Sequence, residues 1–138
     1  MNGPEERVEC ILLPKDRVGV AIGKNGKVKE EIERRGKVKL SFDSEGGEVW
    51  ITSGEDPLST LKVKNVLRAI GRGFSPEKAF RLFEDDQYLE VINLADYVNS
   101  EKAMVRLKGR VIGERGRTRE TIETVSGVHV SVYGKTVA

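Results

Sequence analysis

Ile22-Gly23-Lys24-Asn25-Gly26-Lys27 returns ninety residues later as Ile112-Gly113-Glu114-Arg115-Gly116-Arg117. The register then holds without a gap. Lys29, Glu30, Ile32 and Glu33 meet Arg119, Glu120, Ile122 and Glu123, and Val38, Leu40, Ser41 and Phe42 meet Val128, Val130, Ser131 and Val132. Paired glycines, matched charges, a matched apolar position and a matched alternating run identify a duplicated small module. That duplication decides how the rest of the chain is read.

Outward from the first glycine pair, the elements follow from punctuation and periodicity. Residues 8–13 are mostly apolar and stop at Pro14, as a strand does. A short helix over 16–22 carries Val18, Ala21 and Ile22, and Gly23 and Gly26 break it. A second helix over about 27–35 buries Val28 and Ile32 at i, i+4 and leaves Lys29, Glu30, Glu33 and Arg34 outside. Gly36 is expected as its left-handed stop. Val38, Leu40 and Phe42 alternate with Lys39 and Ser41, residues 43–47 turn, and residues 49–52 return as a strand. Pro57 opens a closing helix through Ile70, whose Leu61, Val66 and Ile70 are expected over a sheet face of Val8, Leu40 and Ile51. The predicted order is β-α-α-β-β-α.

Ser75 with Pro76 starts a connecting helix, with Ala79, Phe80, Leu82 and Phe83 apolar. Residues 88–97 are read as the next strand. Asn99 or Ser100 then caps a helix containing Met104, Leu107 and Val111 that delivers Gly113. Only 22 residues follow Gly116, enough to begin a returning strand near Lys135 but not to close with a helix. The predicted organisation is a first module over 1–73, a connector over 74–86, and a C-terminally incomplete second module over 87–138, α+β throughout.

Composition narrows the function. A 138-residue chain can bury a real core. No apolar run approaches a membrane span, and the N-terminus lacks a signal-peptide pattern. One cysteine and one histidine exclude a disulfide framework and multi-thiolate or His-rich metal sites. Cys10 is read as a small buried hydrophobe, Trp50 as core or cross-strand packing, and His129 as a surface residue on a strand. No nucleophile–base set or carboxylate pair emerges, so no catalytic residue, metal ligand or cofactor is assigned. Residues 19–24 fall one residue short of a nucleotide-binding P-loop and lack its Ser or Thr. Basic and acidic residues number 14 and 12 over 1–73, 2 and 6 over 74–100, and 8 and 4 over 101–138. Two basic segments flank an acidic one, and the expected protein is a cytoplasmic binding protein.

Isoleucine, Gly-x-x-Gly and a basic helix start, set between two short helices, resemble the KH family of single-stranded nucleic-acid-binding domains. The element order resembles its eukaryotic, type I arrangement: a three-stranded antiparallel sheet with helices on one face. Two glycines let backbone approach a phosphate, and the following helix offers unpaired N–H groups and its positive dipole end. The resemblance implies a groove for about four nucleotides, lined by Ile22, Val28 and Leu40 in one copy and Ile112 and Val130 in the other. The candidate RNA-binding set is Ile22, Gly23, Lys24, Asn25, Gly26 and Lys27, with Arg110, Ile112, Gly113, Glu114, Arg115, Gly116, Arg117 and Arg119. Glu114 opposes phosphate in the second loop, where Arg115 and Arg117 compensate.

The tandem arrangement, the second loop's Ile112–Glu123 sequence and the Gly-Phe-Ser-Pro-Glu-Lys-Ala-Phe helix resemble the archaeal relatives of the Dim-two ribosome-assembly factors. That likeness implies binding near the 3′ end of small-subunit ribosomal RNA, beside a processing nuclease or an initiation factor, with no membrane role. The alternatives are a general RNA-binding protein, an exosome-type nuclease-complex subunit, or a KH protein–protein scaffold.

Overall fold

A computed structural model describes residues 6–54 and 56–138. They form two units. One runs to Gly71 and adds Ser75–Tyr88; the other joins Arg72–Phe74 to Leu89–Ala138.

The first unit contains β1 (Arg7–Leu12), α1 (Lys15–Ile22), α2 (Lys27–Gly36), β2 (Val38–Phe42), β3 (Glu48–Ser53), α3 (Pro57–Gly71) and the short α4 (Pro76–Ala79), which tightens into a 3-10 turn over Phe80–Phe83. Its antiparallel sheet has the order β1-β3-β2. Val38 and Leu40 on β2 and Val49 and Ile51 on β3 face inward, joining Ile32, Val63, Val66, Leu67 and Ile70 in the core. Asp56 Oδ1 accepts the Leu58 N–H at the start of α3, as an N-terminal cap does. Asp43 and Gly47 close the β2–β3 hairpin, with the Gly47 N–H donating to Asp43 O at 2.8 Å.

Three expectations about this unit are corrected. Val8 is 63% exposed and Leu61 is also exposed. Directly opposed residues share a face, and β1 places Ile11 opposite Val49 and Glu9 opposite Ile51. Val8, Cys10 and Leu12 therefore point to the uncovered side, and Cys10 is exposed rather than buried. Trp50, opposite Cys10 and Ser41, lies on the same side. The third correction concerns Gly36, which is still helical; Lys37 takes the left-handed position, with φ 54°. A Cβ at Gly36 would stand 2.1 Å from Val63 Cγ2, so close helix packing rather than chain reversal requires the glycine.

The acidic end of α4 and its 3-10 turn is tied to this unit. Lys62 Nζ donates to Asp85 Oδ1, and the Arg35 guanidinium stacks over Phe83 at 4.7 Å and Phe80 at 5.6 Å. Lys64 pairs with Glu9 at 2.7 Å.

The second unit is built from β4 (Ile92–Asn93), a 3-10 turn over Leu94–Asp96, α5 (Glu101–Ile112), α6 (Arg117–Ser126), β5 (Val132–Tyr133) and β6 (Thr136–Val137). Its antiparallel sheet has the order β4-β6-β5. Ser100 is the N-cap of α5, its Oγ accepting the Ala103 N–H. The strand predicted over 88–97 contracts to two residues because Asn93 Oδ1 accepts the Ala95 N–H and starts the 3-10 turn. The strand predicted from Val128 begins only at Val132, so His129 lies off it. Phe74, Leu94, Met104 and Val130 form the core. Phe74 arrives on a segment held by the Ser131 hydroxyl donating to Arg72 O at 2.7 Å and by the Arg72 guanidinium over the Tyr133 ring at 5.3 Å. Helix α6 buries no residue: Ile122 is 39% exposed where its counterpart Ile32 is fully buried. Among the described residues no helix lies against α6 as α3 lies against α2.

Candidate functional site

The two glycine loops have the same backbone. Gly23 and Gly113 have φ/ψ of 77°/173° and 75°/174°. Asn25 and Arg115 follow at 56°/27° and 55°/29°, and Gly26 and Gly116 at 73°/14° and 75°/12°. Three residues in each loop thus have positive φ, a region that only glycine, and to a lesser degree Asn, occupies cheaply. Asn25 suits its position; Arg115 does not. The glycines differ in what demands them. A Cβ on Gly23 would stand 2.4 Å from Val28 Cγ2, and one on Gly113 2.2 Å from Thr118 Oγ1, whereas Gly26 and Gly116 have open space around theirs.

Behind each loop the chain turns straight into a helix. The N–H of Gly23 donates to Gly19 O, and that of Gly26 to Gly23 O; the second loop repeats both bonds at Gly113 and Gly116. Gly26 and Gly116 are the N-caps of α2 and α6, and no side chain caps either helix. The N–H groups of Lys27 and Arg117, the first residues of α2 and α6, donate to Lys24 O and Glu114 O, and each helix begins at its loop with its positive dipole end. Lys24, Asn25 and Lys27 are exposed around the first loop, and Glu114, Arg115 and Arg117 around the second. Among the described residues, no ion pair engages any of these charged groups. The arrangement can attract an anion to the positive end of a helix with exposed cations beside it.

The structure spreads the remaining expected residues over different roles. Ile22 and Ile112 end α1 and α5 half-buried, and Arg110 is exposed in the last turn of α5. Leu40 and Val130 are buried in their cores, leaving Ile22, Val28 and Ile112 as the accessible apolar positions. Arg119 is half-buried and its Nη1 donates to Val130 O at 3.4 Å, so part of its donor capacity serves the backbone. Glu33, read as a solvent-facing helix residue, instead accepts the Leu40 N–H at 2.8 Å. Glu123 accepts the Val130 N–H at 2.9 Å. The repeat register, which pairs Glu33 with Glu123, held that signal. Among the described residues no cluster of His, Cys, Asp and Glu could hold a metal ion, and no helix is long and apolar enough to cross a membrane.

Known proteins show the same architecture. A family model described as a eukaryotic type KH-domain (KH-domain type I) matches residues 88–138. The crystal structure of Dim2p from Pyrococcus horikoshii is 55% identical, with a TM-score of 0.88 over 95% of this chain and 78% of that one. The chain belongs to the KH-domain family of archaeal Dim2p. A second structure of this family, the a/eIF2alpha-aDim2p-rRNA complex from the same organism, is 55% identical and matches with a TM-score of 0.88 over 96% of this chain and 74% of that one. A KH domain-containing protein from Methanocaldococcus jannaschii is 49% identical over 138 residues. The chain covers 61% of that relative's length.

Proposed function

We propose that this Dim2p-family chain binds single-stranded RNA through both glycine loops, as two tandem type I KH modules. The modules are 1–73 and 87–138, joined by 74–86. The observation that carries this reading is the loop geometry: two segments of different sequence share one positive-φ path that sets the start of a helix beside exposed cations held in no ion pair. A phosphate on each loop would leave the flanking bases above Ile22 and Val28, or above Ile112, where an apolar floor can receive them. The residues in contact are those of the candidate set, with Glu33 holding strand β2 and Glu123 the segment that leads into β5. The role is binding without catalysis.

The family relative in complex with a/eIF2alpha and rRNA supports ribosomal RNA as the target; the target in this reading is small-subunit rRNA near its 3′ end, bound during ribosome assembly in the cytoplasm. It equally supports an initiation factor as a protein partner; a processing nuclease is the further partner expected from such a target. Crosslinking the chain to RNA in cells, followed by sequencing, tests the proposal. Reads concentrated at the 3′ end of small-subunit rRNA are expected, and reads dispersed over messages would replace this target with general RNA binding.

A further inference from the structure

Helix α5 carries Lys102, Arg106 and Arg110 at four-residue intervals, all exposed, so the three lie along one solvent face over about 12 Å. The face ends at the loop that bears Arg115 and Arg117. In the register of the repeat the corresponding first-copy residues are Leu12, Asp16 and Val20. The stripe therefore belongs to the second copy alone and is no part of the shared module.

Helix physics does not account for it. Like charges at i, i+4 repel, and Lys102, in the first turn, stands at the helix end whose dipole disfavours a cation. Among the described residues no ion pair engages Lys102, Arg106 or Arg110. Gly109 flanks the stripe one turn from Arg106, and a Cβ there would meet nothing within 4 Å. A glycine inside a helix weakens it, and here no packing requires one. Its effect is to lower the surface along one side of the stripe, where a backbone can approach closely.

We infer that the exposed face of α5 is a phosphate-tracking rail that lengthens the single-stranded RNA footprint of the second module beyond its glycine loop. The inference rests on the RNA-binding reading of that loop. An acidic protein surface could also meet three cations, but continuity with the loop's Arg115 and Arg117 favours one polyanion running across both.

The test uses random single-stranded RNA pools of about 5 and about 15 nucleotides, titrated against the full chain by fluorescence anisotropy at several salt concentrations. Lys102→Gln with Arg106→Gln should flatten the log Kd against log salt slope for the longer pool by about 1.4 and leave the shorter pool's affinity unchanged. Both residues are exposed, so the melting temperature should not fall. An unchanged slope on the longer pool would overturn the rail, whatever protein the stripe then binds. Arg115→Asn with Arg117→Gln should weaken both pools. A shorter pool indifferent to that variant would count against the loop reading itself, and the slope on the longer pool still decides the rail.

Discussion

The carboxylate of Glu33 accepts the backbone N–H of Leu40 at 2.8 Å, so one side chain of α2 pins the middle of the edge strand β2. Glu123 repeats the bond to Val130 at 2.9 Å. A strand N–H that loses its acceptor in a partly buried place costs about 1–3 kcal/mol. Glu33→Ala is expected to lose stability within that range. Glu33→Gln, which keeps an acceptor oxygen, should lose less than half as much. Urea denaturation of both variants checks this ordering.

The two glycines of each loop should differ under substitution. Gly23→Ala places a Cβ against Val28 as well as adopting positive φ, and should cost about 1–3 kcal/mol. Gly26→Asn meets open space and suits the left-handed region, so its cost should stay under about 1 kcal/mol. Thermal melts of the pair measure the gap. The same crowding means that an aspartate at Gly113 would strain the fold as well as repel phosphate, so exposed Lys24, Arg115 and Arg117 are the cleaner positions for charge changes.

Ile32 and Ile122 occupy equivalent positions but unequal surroundings. Ile32→Ala empties a fully buried site and should cost about 2–5 kcal/mol. Ile122→Ala trims a side chain that is already 39% exposed, and its cost should stay below about 1 kcal/mol. Hydrogen exchange of α2 and α6 amides reads each unit separately.

Lys62 beside Asp85 holds that carboxyl below the ordinary carboxylate value, first through its hydrogen bond and then through its charge. Asp43 is lowered mainly by the backbone N–H of Glu45. Carboxylates depressed in the folded state contribute stability above the unfolded pKa of about 3.9 and lose it as pH falls through the folded value. Asp85→Asn should therefore lower the urea midpoint slightly at pH 6, with parent and variant converging as pH falls through the folded value of Asp85. Asp85 is solvent-exposed, so added salt should shrink the difference.

The order β-α-α-β-β-α was legible in the first module because apolar periodicity and punctuation agreed from Val8 to Ile70. Both loops were legible because the repeat made two weak glycine pairs reinforce each other. The inward face of β1 was not. Val8, Cys10 and Leu12 outnumber Ile11 in apolar character, and only the pairing of Ile11 with Val49 reveals which side is covered. Gly36 misled because a glycine demanded by Val63 looks the same in sequence as one that reverses the chain. The short strands of the second unit were hidden because side-chain bonds such as Asn93 to Ala95 end them, and no alternation reports such bonds.

The central claim is that the loop cations hold RNA phosphates, and salt-dependent titration of a short single-stranded RNA against two loop variants tests it most directly. One variant carries Lys24→Ala with Lys27→Ala, the other Arg115→Asn with Arg117→Gln. Each phosphate released from a single strand removes about 0.7 from the log–log slope. Each variant is expected to flatten the slope by about 1.4, and the second to lose more affinity besides, because arginine also stacks on unpaired bases. Slopes and affinities equal to the parent's in both variants, with circular dichroism intact, would contradict the account.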